Sequence, residues 1–309
     1  MTARVILDTD IGTDVDDCLA IAFLLGSPEI TLEGITCVYG DVELRARMVA
    51  KLLRLHGNQE IPVRLGARPP LLGLKDVYWL GHEGQGLLDG SEPDEPFSDE
   101  HAVDFIVRTV LANPGEITLL ASGPLTNIAL AFRLEPRLSH LLKSLTIMGG
   151  VCRGPETLDL PLTEHNIVCD PEAAQIVFSS GAPIMLIPLD VTTRVNIKIS
   201  DLTRLTASGH GFQAAVADQV ARYPRFVDKG QTALHDPLAA AVLVEPSIVT
   251  LTPVHLAVET QGRLAAAATF MWAPSEHHPA NVNVALTVDT QRAEELIIAR
   301  IAGEIRPAS

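Results

Sequence analysis

A chain of 309 residues, 47% hydrophobic and 20% charged, has enough apolar mass for a large core and is too apolar for disorder. Its formal charge of -15 argues against nucleic acid or an anionic membrane surface as partner. No apolar run reaches the length of a bilayer span and the chain opens directly into a strand-like run, so a cytoplasmic location is expected. Cys18, Cys37, Cys152 and Cys169 are scattered without a CxxC pair, and read as buried free thiols rather than a disulfide or zinc site.

Val5-Ile6-Leu7 reads as a buried strand. Asp8, Asp10, Asp14, Asp16 and Asp17 follow, and then an apolar helical pattern in Leu19, Ala20, Phe23 and Leu24. Strand, acidic turn and helix put the carboxylates at the C-terminal edge of a strand, where open α/β sheets build their sites. One or two aspartates there are explained by helix capping. Five repel one another strongly enough to call for a cation, and a hard divalent ion on oxygen ligands is the economical answer.

Further along, Ile30 to Val38 reads as a strand, Glu43 to His56 as a helix and Ile61 to Leu65 as a short strand. Residues 66–98 form a long irregular segment rich in Gly, Pro and acid, centred on Trp79-Leu80-Gly81-His82-Glu83-Gly84-Gln85-Gly86. Its glycines, with Trp79 and His82, suggest an active-site flap. A helix from Ser98 to Ala112, a strand from Ile117 to Ala121 and a helix entered through Ser122-Gly123-Pro124-Leu125-Thr126-Asn127 come next. Leu145 to Met148 is a strand ending in Gly149-Gly150, and a second irregular loop, Val151 to Thr163, leads to Glu164-His165-Asn166. Asp170-Pro171 starts a helix that runs to Ser180, and Pro183 to Leu189 is another strand. Ile199 to Val244 is mainly helical, with Asp236 and Pro237 as cap and first position of its last helix. Strands Val249 to Glu259, Leu264 to Trp272 and Val282 to Val288, then a helix Arg292 to Ala302, complete the chain. The expected architecture is α/β: one domain over residues 1–309, with a mostly parallel central sheet and helices on both faces.

In such a sheet the strand ends share one edge. The aspartates, Gly40-Asp41, Ser122 to Asn127, Met148-Gly149-Gly150, Glu164 to Asn166 and Asp190 should converge there, with His235-Asp236 closing the pocket. Singly each has an ordinary reading: Thr126-Asn127 as helix capping, Met148 as core filling, His235 as a structural histidine. Together with an acidic cluster they point to a site.

The segments DTDIGTDVDDCLAIAFLL, SGPLTNIALAFRLEP, MGG, EHNIVCDPEAAQIVF and LHDPLAAAVL resemble the nucleoside hydrolase family, in the same order over about residues 4 to 300. The resemblance implies a Rossmann-like fold and a calcium-dependent enzyme that splits the N-glycosidic bond of a ribonucleoside, a small-molecule substrate, to ribose and free base. It implies calcium on Asp10, Asp17, the Thr126 backbone carbonyl and Asp236, completed by the ribose 2′- and 3′-hydroxyls. Asp10 would act as general base toward water. Asp16, Glu164 and Asn166 would grip ribose hydroxyls, Met148 would pack near the sugar and His82 would help cover the base. His235 would protonate the departing base or assist the group that does. A homodimer or homotetramer is also implied.

The family motif is usually DxDxGxDD, whereas here DTDIGTDVDD carries two extra residues before its last pair. Aligned from the helix, Asp16 and Asp17 are the family pair and Asp14 is additional; aligned from the strand, Asp14 takes a role instead. Asp41 stands where the family commonly has Asn, so it would add charge near the sugar. His165 stands where an aromatic is frequent, also on the substrate side. The loop LDLPLTEHN lacks the Asn expected at the 5′-hydroxyl, and the Gly262 to Thr269 run differs from the family's pattern near the base. Two other classes compete. A phosphohydrolase of the haloacid dehalogenase type would use Asp8 as nucleophile, but it wants Thr or Val at Gly12 and a later lysine. A catalytically silent riboside binder would not need both Asp10 and His235. An EF-hand fails because Leu19 occupies the position of its bidentate Glu.

Overall fold

The first strand, β1 (Ala3–Thr9), is buried from Val5 onward, as a strand covered on both faces must be. It leads through the acidic turn into α1 (Asp16–Leu25), buried on all sides up to Leu24. The computed structural model describes residues 2–73, 76–90, 92, 96–152 and 159–304. Next come β2 (Ile30–Cys37), α2 (Val42–His56), β3 (Val63–Leu65), α3 (Ala102–Ala112), β4 (Ile117–Ala121), α4 (Thr126–Leu134), α5 (Leu138–Leu141) and β5 (Ser144–Met148). The middle of the chain holds α6 (His165–Cys169), α7 (Pro171–Phe178), β6 (Ile184–Ile187), α8 (Leu189–Thr192), β7 (Asn196–Lys198), α9 (Ile199–Thr206), α10 (Gly211–Arg222), α11 (Pro224–Lys229) and β8 (Gln231–Ala233). It ends with α12 (His235–Val244), β9 (Val249–Val258), β10 (Thr269–Trp272), β11 (Val282–Val288) and α13 (Thr290–Ala302).

Among the described residues nine strands form one sheet in the order β10-β9-β11-β6-β5-β4-β1-β2-β3. Every neighbouring pair is parallel except the two made by β9. The sheet is therefore mostly parallel, as expected. Helices cover both faces: α1, α2, α12 and α13 pack over one, and α3, α4 and α7 over the other. The order reverses between β1 and β4, the switch point where a crevice opens at the strands' C-terminal ends.

The departures from expectation lie in short or irregular pieces. The helix expected from Ser98 begins at Ala102, because the His101 side chain accepts the Val103 N–H and caps it there. The strand expected from Leu264 begins only at Thr269, after a turn in which Ala267 has a φ of 76°. Residues 196–233 hold three helices and, unforeseen, a two-stranded antiparallel ribbon of β7 and β8. Strands of three residues carry no readable alternation. Leu234, not Asp236, caps α12, which leaves Asp236 inside its first turn. Of the expected loop Val151 to Thr163, residues 153–158 lie outside the described residues.

Candidate active site

Two buried helices, α1 and α12, lie side by side with their N-termini at the crevice. Asp16 and Asp17 sit in the first turn of one and Asp236 in the first turn of the other. One carboxylate oxygen from each of the three lies within 4.8 Å of the others. All are buried, at 4%, 3% and 3% exposure. Asp17 accepts from the Thr9 hydroxyl and from Ser122 Oγ at 3.0 Å, and Asp16 accepts from the Asp236 N–H at 3.2 Å. Burial, then repulsion from neighbouring carboxylates, raises the pKa of all three, that of Asp17 to about 8. The helix N-termini give only partial relief. Buried all-oxygen donors that make no ion pair with a basic side chain among the described residues fit a hard divalent cation.

Asp10 lies beside this cluster, 3% exposed. Its Oδ2 is 4.0 Å from Arg45 Nη2 and 4.0 Å from His165 Nε2. Arg45 is wholly buried and organises the turn from beneath. Its Nε donates to the Tyr39 carbonyl at 2.7 Å, Nη1 to the carbonyls of Asp10 and Ile11, and Nη2 to Thr13 Oγ1 at 3.0 Å. The Trp79 ring lies 5.0 Å from its Cζ. Sequence reasoning missed Arg45, although it shares the apolar stripe of α2 with Val42, Val49 and Leu52. A cation on a buried stripe was the available signal. Gly12 has a φ of 112°, a conformation that favours glycine, and a Cβ there would also crowd Met48 Sδ at 3.0 Å.

A cavity of about 350 Å³ opens over these groups. Asp10, Asp16, Asp17, Met148, Glu164, His165, Asn166, His235 and Asp236 all line it, so nine of the expected residues come together. Glu164 caps α6, accepting from the N–H groups of Asn166 at 2.8 Å and Ile167 at 3.2 Å, and also from Gly150 N–H at 3.0 Å. Asn166 Nδ2 donates to the Ser122 and Met148 carbonyls at 2.9 and 3.3 Å. His165 stands edge-on to Tyr78, ring centroids 5.4 Å apart. On the opposite wall His235 Nδ1 lies 2.7 Å from Thr192 Oγ1. Burial pushes the His235 pKa down to about 4, against the charge of Asp14, so the ring is neutral near pH 7.

Three residues to which the resemblance gives a role are not among those lining this cavity, and neither is Asp190, which accepts the Cys152 N–H at 2.8 Å. Asp41 caps α2 by accepting from the Leu44 N–H at 3.1 Å. Thr126 is buried at the start of α4, its hydroxyl donating to Asp170 Oδ2 at 2.7 Å. His82 lines a separate cavity, reached past Asp14 and Tyr223. The flap residues that do line the first cavity are Tyr78 and Leu80, and Asp14, Ser122, Leu189, Tyr223 and Arg225 also face it. Asp8, the nucleophile of the rejected phosphohydrolase reading, is sealed in the sheet, accepting from Thr36 Oγ1 at 2.5 Å and Asn127 Nδ2 at 2.8 Å. In a larger cavity of about 670 Å³ beside α2, two of the basic groups, Lys51 and Arg47, are paired with Glu92 and Glu43.

Residues 5–295 match the family model described as inosine-uridine preferring nucleoside hydrolase. The chain is 34% identical to the pyrimidine-specific ribonucleoside hydrolase RihA of Citrobacter koseri, covering 98% of this chain and 99% of that one. It is 33% identical to uridine nucleosidase 1 of Arabidopsis thaliana, covering 84% and 79% respectively. Among solved structures it superposes on a plant nucleoside hydrolase, PpNRh1, with a TM-score of 0.88 at 31% identity, over 98% of this chain and 99% of that one. A purine-preferring ribonucleoside hydrolase from Gardnerella vaginalis gives a TM-score of 0.87 at 31% identity, over 97% and 98%. The match in sequence along nearly the whole chain, and in fold, makes this chain a member of the inosine-uridine preferring nucleoside hydrolase family.

Proposed function

We propose that this protein is a calcium-dependent hydrolase that cleaves the N-glycosidic bond of ribonucleosides, giving ribose and the free base. The observation that carries the reading is the buried triad of Asp16, Asp17 and Asp236 directly beside Asp10, in the cavity that also exposes Glu164 and Asn166. Calcium held by such carboxylates would supply a positive charge that orients vicinal sugar hydroxyls and acidifies water. Asp10 then takes the proton of the attacking water. Glu164 and Asn166, fixed by their bonds to α6 and to the ends of β4 and β5, grip ribose hydroxyls. The carboxylates around the sugar stabilise the positive charge that grows on it as the base departs. His235, neutral and oriented by Thr192, assists proton delivery to the base.

Ribose release from a panel of purine and pyrimidine ribonucleosides and from nitrophenyl riboside, with and without a chelator, tests the proposal. Release that chelation abolishes and calcium restores is the expected result. Release that survives chelation would overturn the calcium role, and no release from any substrate by calcium-loaded protein would overturn the hydrolase. The assembly proposed is a homodimer or homotetramer in the cytoplasm, the first of which sedimentation would check. Among the described residues no helix is long and apolar enough to cross a membrane.

A further inference from the structure

The family acidic motif has no counterpart for Asp14 once Asp16 and Asp17 are taken as its final pair, and the structure gives this additional carboxylate a distinctive place. Asp14 lines the first cavity and also a second, of about 350 Å³, so it stands in the wall between them. Its Oδ1 accepts the Val15 N–H at 2.6 Å and its Oδ2 accepts the Tyr223 hydroxyl at 2.8 Å. Tyr223 also lines both cavities. The two bonds fix the carboxylate's orientation, and each oxygen retains a lone pair. No basic side chain among the described residues makes an ion pair with it. Beyond Asp14, the second cavity is lined by apolar Val15, Cys18 and Met48 and by polar His82, Gln85 and Gln219, with Arg222 at its wall already paired to Asp218 at 2.6 Å. Apolar walls with a few convergent polar groups suit a flat heterocycle.

Building on the proposed hydrolysis, we propose that the base enters this second cavity and that Asp14 is the specificity-determining residue facing its edge, favouring bases with an exocyclic amino group over those with a carbonyl at the same place. Both Asp14 oxygens already act as acceptors, toward the Val15 N–H and the Tyr223 hydroxyl, so the side chain offers the cavity lone pairs and no donor. An amino group gives it a donor, whereas a carbonyl oxygen there leaves two acceptors opposed in a partly dry site. Sites built to hydrogen-bond one partner reject the analogue lacking it far more strongly than apolar pockets reject a missing methylene. Cytidine is therefore preferred over uridine, and adenosine over inosine. Tyr223 acts as a positioning residue by holding Asp14.

The test is calorimetric binding of cytidine, uridine, adenosine and inosine to calcium-loaded protein, with ribose release followed in the same samples, for the native chain, Asp14→Asn and Tyr223→Phe. The expected result is about tenfold tighter binding of each amino-bearing nucleoside over its oxo counterpart. That ratio should collapse toward unity in Asp14→Asn and fall partway in Tyr223→Phe. Ribose release with equal or reversed preference, or with equal loss of both members of a pair in Asp14→Asn, would overturn the role of Asp14 and leave hydrolysis standing, whereas neither binding nor release of any of the four would overturn both. Preferential, Asp14-dependent binding without ribose release would support the role of Asp14 while overturning hydrolysis.

Discussion

Arg45 Nη2 and Asp10 Oδ2 lie 4.0 Å apart, one side chain wholly buried and the other nearly so. The same guanidinium binds the carbonyls of Tyr39, Asp10 and Ile11, so it ties the turn after β2 to the turn after β1. Removing it leaves three buried carbonyls and a buried carboxylate without that donor. Arg45→Met is expected to destabilise the protein by about 3 kcal/mol, the range for breaking one partner of a buried charge network. Arg45→Lys, with fewer donors on a narrower head, should recover only part of this. Urea denaturation measures both; a loss under about 1 kcal/mol in Arg45→Met would mean the turn holds itself.

The metal triad predicts an opposed pH response in metal-free and metal-loaded protein. Asp17 ionises near 3.8 in the unfolded chain and near 8 in the metal-free fold, raised first by burial and then by Asp10. Its protonated form favours the metal-free fold below the unfolded value, and that contribution is lost as pH rises toward 8. Chelated protein should therefore lose melting temperature steadily between pH 5 and pH 8. Calcium-loaded protein should not, because binding displaces the protons and strengthens as pH rises. Parallel melting curves for the two forms over that window would remove the cluster as the metal site.

Much of this arrangement is legible in the sequence because it follows strand ends and helix starts. The run from Asp8 to Asp17, Glu164 to Asn166 and His235-Asp236 each sit where a contiguous pattern changes period, and all three bring residues to one cavity. What stays hidden depends on side chains packing between distant segments. Thr192 becomes relevant only because α8 brings it to His235, and Tyr223 only because α11 begins beside the acidic turn. In the flap, residues from one short segment divide between two cavities. Glu83 turns inward and accepts the N–H groups of Leu80 and Gly81 at 2.8 and 2.7 Å, a fold-back that presents Tyr78 and Leu80 to the first cavity and His82 to the second. Nothing in the spacing of the glycines encodes that choice.

Thr192→Val keeps the shape of a buried side chain and removes the partner of His235 Nδ1. The imidazole then loses its preferred tautomer and orientation. Turnover of natural nucleosides should fall about tenfold, within the range of a disturbed proton-transfer group. Nitrophenyl riboside, whose leaving group needs no proton, should fall much less, and His235→Ala should separate the two substrates further. Equal losses on both substrates would take His235 and Thr192 out of proton delivery.

His165 supplies the last test, because its Nε2 lies 4.0 Å from Asp10 Oδ2 while its ring meets Tyr78 edge-on. His165→Phe keeps an aromatic ring facing Tyr78 and removes both ring nitrogens, and with them the contact to Cys169 Sγ. Burial raises the Asp10 pKa; the charge of Arg45 and then the electrostatic effect of His165 oppose that rise. Without the histidine, Asp10 holds its proton to higher pH. A general base must be ionised to act, so the acid limb of the kcat/KM profile reports this group in the free enzyme. In His165→Phe that limb should move to higher pH, with the plateau rate at alkaline pH changed far less. An unmoved acid limb would mean that the base governing catalysis is not Asp10, or that His165 does not act on it through charge. Repeating the profile in Arg45→Lys separates these outcomes, since that substitution alters the other cation next to Asp10 and leaves His165 in place.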